Sequence, residues 1–260
     1  MKVSENTILI TGGTSGIGLE LARQFLALGN TVIVTGRDPS KFARVQRDLP
    51  QIHTIQSDVS DPEAIAPLCA RITSEFPALN ILINNAGIMR KINLQDRGTG
   101  LEDLSLEIET NLTGLVRMVR RFLPHLRKQP NSAIVNVSSG LAFVPFPISP
   151  IYSATKAGVH SFTQSLRVQL KNTNVKVFEL APPATQTPLQ DAFEAPDIKG
   201  SPMMDVKKLV EAAIAGLRKD RLEIRPGISN VLKLMSRIAP GLMLRALSGS
   251  VDGMLARTEL

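Results

Sequence analysis

Four glycines in seven residues, Gly12-Gly13-Thr14-Ser15-Gly16-Ile17-Gly18, stand between an apolar run, Thr7-Ile8-Leu9-Ile10-Thr11, and a helical pattern. That pattern is carried by Leu19, Leu21, Ala22, Phe25, Leu26 and Leu28 and stops at Gly29. Glycines let the backbone turn sharply and approach a ligand closely, and a new helix offers free N–H groups at the positive end of its dipole. A strand, glycine turn and helix in this order are suited to seating a pyrophosphate. The other reading is a plain βα turn, which the flanking strand and helix disfavour.

The rest of the chain alternates in the same way. Thr31 to Thr35 is a second apolar run, as a βαβ unit demands, and Gly36-Arg37 follows where dinucleotide folds place an acid for the ribose 2′-OH. An arginine there suits a 2′-phosphate instead. Asp38 either ties up the guanidinium or caps a helix starting near Pro39. Ile52 to Gln56 predicts a third strand, and Asp58-Val59 follow it. A helix is expected over Asp61 to Phe76 and a fourth strand over Asn80 to Ile83, which opens into Asn84-Asn85-Ala86-Gly87. Leu104, Ile108, Leu112, Leu115, Val119, Phe122 and Leu126 are spaced for one buried stripe on a helix from Leu101 to about Arg127. Asn111 lies on that helix, where a mid-helix amide faces solvent unless a site uses it. Ala133 to Val137 and Val175 to Leu180 predict the fifth and sixth strands, a helix spans Asp205 to Leu217, and Arg221 to Arg225 predicts a seventh strand.

The only tyrosine of the 260 residues, Tyr152, precedes Lys156 by one helical turn, so both side chains share a face. A free phenol titrates near ~10, so proton transfer at neutral pH needs roughly three units of depression, about 4 kcal/mol, from the surroundings. A lysine together with a cationic cofactor can supply it. Alone, such a pair is as well explained by snorkelling on a surface. Ser138-Ser139 leave the fifth strand thirteen residues before Tyr152, and either faces the same crevice or closes a turn.

Cys69 is the only cysteine, which rules out an intrachain disulfide and a cysteine metal site. His53, His125 and His160 are far apart in the sequence, so no metal set is evident; His160 reads as a packing or subunit-interface residue. No apolar run is long enough for a signal peptide or a membrane span, and a cytoplasmic location is expected. The formal charge is +7, but aromatics are 4% with no tryptophan, so the chain lacks the interleaving of a nucleic-acid binder.

Thr11-Gly12-x-x-x-Gly16-x-Gly18, Asn84-Asn85-Ala86-Gly87, Asn111, Ser139 and Tyr152-x-x-x-Lys156, in this order, resemble the short-chain dehydrogenase/reductase family over residues 7 to about 225. The resemblance implies a three-layer α/β Rossmann fold with a doubly wound seven-stranded parallel sheet. It implies Tyr152 as acid and base, Ser139 on the substrate oxygen, Lys156 on the nicotinamide ribose and Asn111 holding a relay water. Cofactor contacts then fall to Gly12, Thr14, Ser15, Gly16, Ile17, Gly18, Arg37, Asp58, Val59, Asn85, Ala86, Gly87, Pro182 and Thr187, with NADP preferred and NAD the alternative. One departure is Pro183, where the family carries glycine, which puts the backbone contacts at Pro182 in doubt.

Substrate specificity is expected from Leu141 to Pro150 and from Ala184 to Met204, with Leu141, Phe143, Phe146, Leu189, Phe193, Met203 and Met204 lining an apolar pocket. The expected activity is carbonyl reduction or alcohol oxidation, in a homodimer or homotetramer. The rival is a non-catalytic NADP-binding sensor, against which the intact Ser139, Tyr152 and Lys156 argue. Residues 226–260 form a helical extension to a catalytic domain of residues 1–225. From Ser229 to Ala239 it carries Val231, Leu232, Leu234, Met235 and Ile238 opposite Lys233, Ser236 and Arg237, a pattern that packs on the same domain, on a sister subunit or on an anionic membrane. This extension also faintly resembles that of oxidoreductases associated with lipoteichoic-acid D-alanylation.

Overall fold

Strands covered on both faces read as apolar runs, as the central ones do here, and seven strands pair into one sheet with the polar strand His53–Gln56 and the short strand Glu223–Ile224 at its edges. The computed structural model describes residues 1–96, 98, 100–194, 197 and 203–255. In chain order the elements begin with β1 Thr7–Thr11, α1 Gly16–Ala27, β2 Thr31–Gly36, α2 Phe42–Asp48, β3 His53–Gln56, α3 Pro62–Glu75 and β4 Leu79–Asn84. They continue with α4 Leu101–Ile108, α5 Gly114–Leu126, β5 Ser132–Val137, α6 Pro150–Gln169, β6 Val175–Leu180, α7 Val206–Arg218 and β7 Glu223–Ile224. Three short helices close the chain, α8 Ser229–Ile238, α9 Pro240–Leu247 and α10 Gly249–Leu255.

The strand order is β3-β2-β1-β4-β5-β6-β7, and every neighbouring pair is parallel. Alternate residues serve opposite layers. Ile8, Ile10, Val32 and Val34 join Phe25 of α1 and Val210 of α7 in one core. Leu9, Ile33, Leu82 and Ile134 join Ile72 of α3, Phe122 of α5 and Val159 of α6 in the other. Phe25, Phe122 and Phe178 are fully buried, each contributing about 1.5–3 kcal/mol relative to an exposed ring. The winding reverses between β1 and β4, so the loops that follow them part and leave a crevice at the carboxyl edge.

The expected single helix from Leu101 to Arg127 is interrupted. Glu109–Thr113 forms a π turn between α4 and α5, which adds a residue and rotates the stripe. Leu115, Val119, Phe122 and Leu126 are buried, whereas Ile108 is exposed. Gly114 allows this turn to dock, because a Cβ there would lie 2.4 Å from the Val59 carbonyl oxygen. The seventh strand is shorter than expected, since Pro226 follows Arg225 and cannot donate to a ladder. A third tail helix, α10, was not foreseen; its Met254 is buried with Met89, Ile148, Tyr152 and Phe193. Residues 256–260 of the expected extension lie outside the described residues. Among those described, no helix is long and apolar enough to cross a membrane.

Candidate active site

The β1–α1 loop builds the first wall of the crevice. At Gly18 a Cβ would lie 2.4 Å from the Gly12 carbonyl oxygen and 2.5 Å from Asn85 Nδ2, so only glycine permits this closeness. Asn85 ties the two loops together by donating to the Thr11 and Gly12 carbonyls at 3.0 and 3.1 Å. Ser15, at the helix N-cap, makes no side-chain cap bond, and the first turn of α1 carries no acid. Its N–H groups and dipole are therefore available to an anion.

Two connected hollows run along the carboxyl edge of the sheet and share Gly12, Ala86 and Gly87. The smaller lies over Gly36, Arg37, Asp58 and Val59. Here Asp38 does not take the guanidinium: its carboxylate accepts from the Ser40 amide and hydroxyl at 3.0 and 2.5 Å. Arg37 is half exposed and only loosely paired, with Nε 4.0 Å from Asp58 Oδ2. The larger is a cavity of ≈ 270 Å³ reaching from Ser15, Gly16 and Ile17 past Thr187 to Ser139, Tyr152 and Lys156. Thr14 is buried beneath the loop. An elongated groove with a helix N-terminus at its middle and a half-exposed, loosely paired arginine at one end fits a dinucleotide.

At the deep end, Ser139 and Tyr152 line the cavity together, and the Ser139 hydroxyl accepts from the Leu141 amide at 3.1 Å. Ser138 points elsewhere, donating at 2.5 Å to Glu179. Lys156 Nζ donates to the Val137 carbonyl at 3.0 Å. Asn111 is buried, not solvated: its amide nitrogen donates to Ile88 O and Thr155 Oγ1, and its oxygen accepts from Ile88 N at 2.8 Å. One lone pair of that oxygen is left over, beside the backbone of Gly87.

The expected depression of the phenol does not occur in the protein alone. Burial pushes Tyr152 up to about 12, against the Ser139 hydrogen bond, and the Glu107 carboxylate adds to the rise. Burial also pushes Lys156 down to about 8. Lysine spacing alone is thus insufficient, because both groups share one dry site. Glu107 was missed by the sequence reading. It is fully buried, accepts from the Arg90 amide at 2.7 Å, and burial raises its carboxyl above the usual range. An acid inside the apolar stripe of the 101–127 helix was the available signal.

Of the expected substrate wall, Leu141, Phe146, Leu189 and Met203 line the cavity. Phe143 instead stacks edge-on against His160, Phe193 sits in the buried cluster under Tyr152, and Met204 pairs through its backbone with Thr185. Met89, Ile228, Leu232 and Leu247 complete the wall, three of them from the tail. Pro182 keeps its position by accepting from the Gly140 amide at 2.7 Å, and Pro183 is accommodated without a cis bond.

His160 lies against Glu179, with Nδ1 2.8 Å from Oε2, and Glu223 is close by. Lys233 and Arg225 already hold the Glu223 carboxylate, so this cluster is an ion-pair network across α6, β6, β7 and α8. Burial raises the Glu223 carboxyl, and Lys233 with Arg225 outweighs it, leaving the group below its usual range.

A doubly wound parallel sheet with a glycine-loop groove and a Ser–Tyr–Lys cluster at its carboxyl edge defines a Rossmann oxidoreductase. Residues 6–197 match the short chain dehydrogenase family, and the chain belongs to it. It is 44% identical to the uncharacterized oxidoreductase DltE of Bacillus subtilis, over 86% of this chain and 89% of that protein. Sulfoacetaldehyde reductase 2 of Chromohalobacter salexigens is 36% identical, over 69% and 73%. A short-chain dehydrogenase from Sphingobium yanoikuyae, solved with NADPH, superposes with a TM-score of 0.77 at 28% identity, over 96% and 95%.

Proposed function

We propose that the chain is an NADPH-dependent reductase that interconverts a carbonyl and an alcohol on a small apolar substrate. The observation that carries this is the convergence of Ser139, Tyr152 and Lys156 at one end of a groove whose other end presents Arg37. The α1 N-terminus and the Gly12–Gly18 loop would hold the pyrophosphate, Asp58 and Val59 the adenine side, and Asn85–Gly87, Pro182 and Thr187 the nicotinamide side. Bound there, the nicotinamide supplies hydride to the carbonyl carbon. Ser139 orients the carbonyl oxygen, and Tyr152, protonated across neutral pH, donates the proton to it. Lys156 offers positive charge as the phenolate forms and, with the free lone pair of Asn111, a route for reprotonation.

The apolar substrate class is supported by the cavity lining, in which Lys156 is the only cation and no acid appears among the described residues. A sulfonated aldehyde, as in the name of the Chromohalobacter relative, would need a second cation beside its anionic group. The homodimer or homotetramer is proposed to use the helices over residues 101–127 and 152–171, where Leu101, Ile108 and Val168 are exposed. We assign residues 226–260 to the same working unit as 1–225, and place the enzyme in the cytoplasm in keeping with its single free thiol, Cys69.

NADPH and NADH oxidation should be followed with apolar ketones, aldehydes and diketones, using Tyr152→Phe as control. Turnover with NADPH that the substitution abolishes is expected. NADPH binding without turnover on any of them would overturn the reductase reading in favour of a sensor.

A further inference from the structure

From Ile224 to Val251 the chain carries Arg225, Lys233, Arg237 and Arg245 and not one acid. Folding divides the hydrophobic residues of this stretch between two faces. Leu232 and Leu247 turn inward onto the cavity, with Ile228 at its rim, and Lys233 is drawn inward to Glu223 and over the Phe143 ring. Leu234, Ile238 and Leu242 turn outward and are 58%, 68% and 58% exposed, with Val231 and Leu244 beside them. Arg237 and Arg245 are exposed and make no ion pair among the described residues.

Five large apolar side chains on two consecutive helices, with arginines as the only charged residues on the same exposed side of this stretch, form a surface that water does not favour and that anions do. We propose that the α8–α9 face is a docking surface for an anionic lipid bilayer, on which the enzyme lies without spanning it. Lys233 and Leu232 hold the inner side of α8 to the domain, so the outer side is free to enter the headgroup layer. The cavity mouth, walled by the same helices, then opens at the membrane. Resting on the reductase reading, this makes an amphiphilic carbonyl compound dissolved in the bilayer the fitting substrate. A second copy of the chain is the other occupant such a face could take, but two arginine-rimmed faces brought together would repel.

The test is sedimentation with vesicles of phosphatidylglycerol and phosphatidylcholine at low and high salt, and with phosphatidylcholine alone. The wild-type chain should bind the anionic vesicles, bind phosphatidylcholine at least about tenfold more weakly, and be released by salt. Leu234→Ser with Ile238→Ser, and separately Arg237→Glu with Arg245→Glu, should each weaken binding at least about tenfold while NADPH affinity stays unchanged. No binding by the wild-type chain, or equal binding by both double variants, would overturn the proposal. So would a wild-type dimer that Leu234→Ser with Ile238→Ser splits into monomers. Oxidation of NADPH by a long-chain methyl ketone held in the vesicles should fall in the double variants, while a water-soluble ketone is turned over unchanged. Absence of turnover with both ketones would tell against the reductase reading and leave the vesicle result standing.

Discussion

The Lys156 ammonium stands 5.5 Å from the centre of the Tyr152 ring, and both groups are buried, so one dry site pushes their titrations in opposite directions. Tyr152 rises to about 12 and Lys156 falls to about 8. Each shift disfavours the charged form, which is the form each group needs during alcohol oxidation.

Lys156 makes this measurable without substrate. Its folded pKa of about 8 lies below the unfolded value near 10.5, so the unfolded chain binds more protons between them and stability rises with pH in that window. The contribution is present above the unfolded pKa and lost as pH falls through 8. Tyr152, raised when folded, contributes stability that is full below pH 10 and lost as pH climbs through 12, so it does not interfere below 10. Urea titrations at pH 8 and 10 should show the wild-type chain gaining about 2–3 kcal/mol relative to Lys156→Met. Parallel curves would mean that the ammonium is hydrated.

Glu107 opposes the phenolate from below. Its buried carboxylate raises the phenol, and glutamine keeps the acceptor for the Arg90 amide while removing the charge. Alcohol oxidation, which needs the phenolate, rises with pH. In Glu107→Gln that limb should move to lower pH by a few tenths of a unit to about one unit, with the circular dichroism spectrum unchanged. A limb that stays put, or moves upward, would sink the assignment.

The sheet was legible because its signal is local: its central strands are apolar runs, and each helix repeats at its own period. The positions of Asn85, Ser139, Tyr152 and Lys156 were legible for the same reason, since each sits at the end of a strand or on the helix after it. What failed to show depends on contacts across the chain. Asn111 is buried because a π turn and a bond to Ile88, 23 residues away, hold it inward. Leu232 faces the cavity because Lys233 reaches Glu223, a pairing that turns the expected stripe so that Leu234 and Ile238 face out. The raised phenol is a property of the enclosure, which spacing between tyrosine and lysine cannot reveal.

Arg37 is the residue that should divide the two cofactors. Its guanidinium is half exposed over the smaller hollow, and Asp58 approaches it only to 4.0 Å while accepting from Ser60 at 2.9 Å. A charge-assisted bond to a 2′-phosphate contributes about 1.5–3 kcal/mol. Arg37→Ala should therefore weaken NADPH about 10- to 100-fold in a fluorescence titration and leave NADH within about twofold. Equal losses for both would show that Arg37 supports the fold of the pocket and does not read the phosphate.

Leu232 tests whether the tail sets substrate size. Its Cδ1 would lie 2.9 Å from a Cβ on Gly140, so it packs directly on the loop that carries Ser139 while lining the cavity. Leu232→Ala removes one apolar side chain from that wall at a position where Lys233 still holds the helix in place. Lost apolar contact in such a pocket changes discrimination by about 1–3 kcal/mol. The kcat/KM for medium-sized apolar ketones should fall about tenfold, mainly through KM, while bulkier ketones gain relative to smaller ones and NADPH affinity is unchanged. A uniform drop in kcat for every ketone would instead place Leu232 in the support of Ser139, and the size limit would have to come from Leu141 and Phe146.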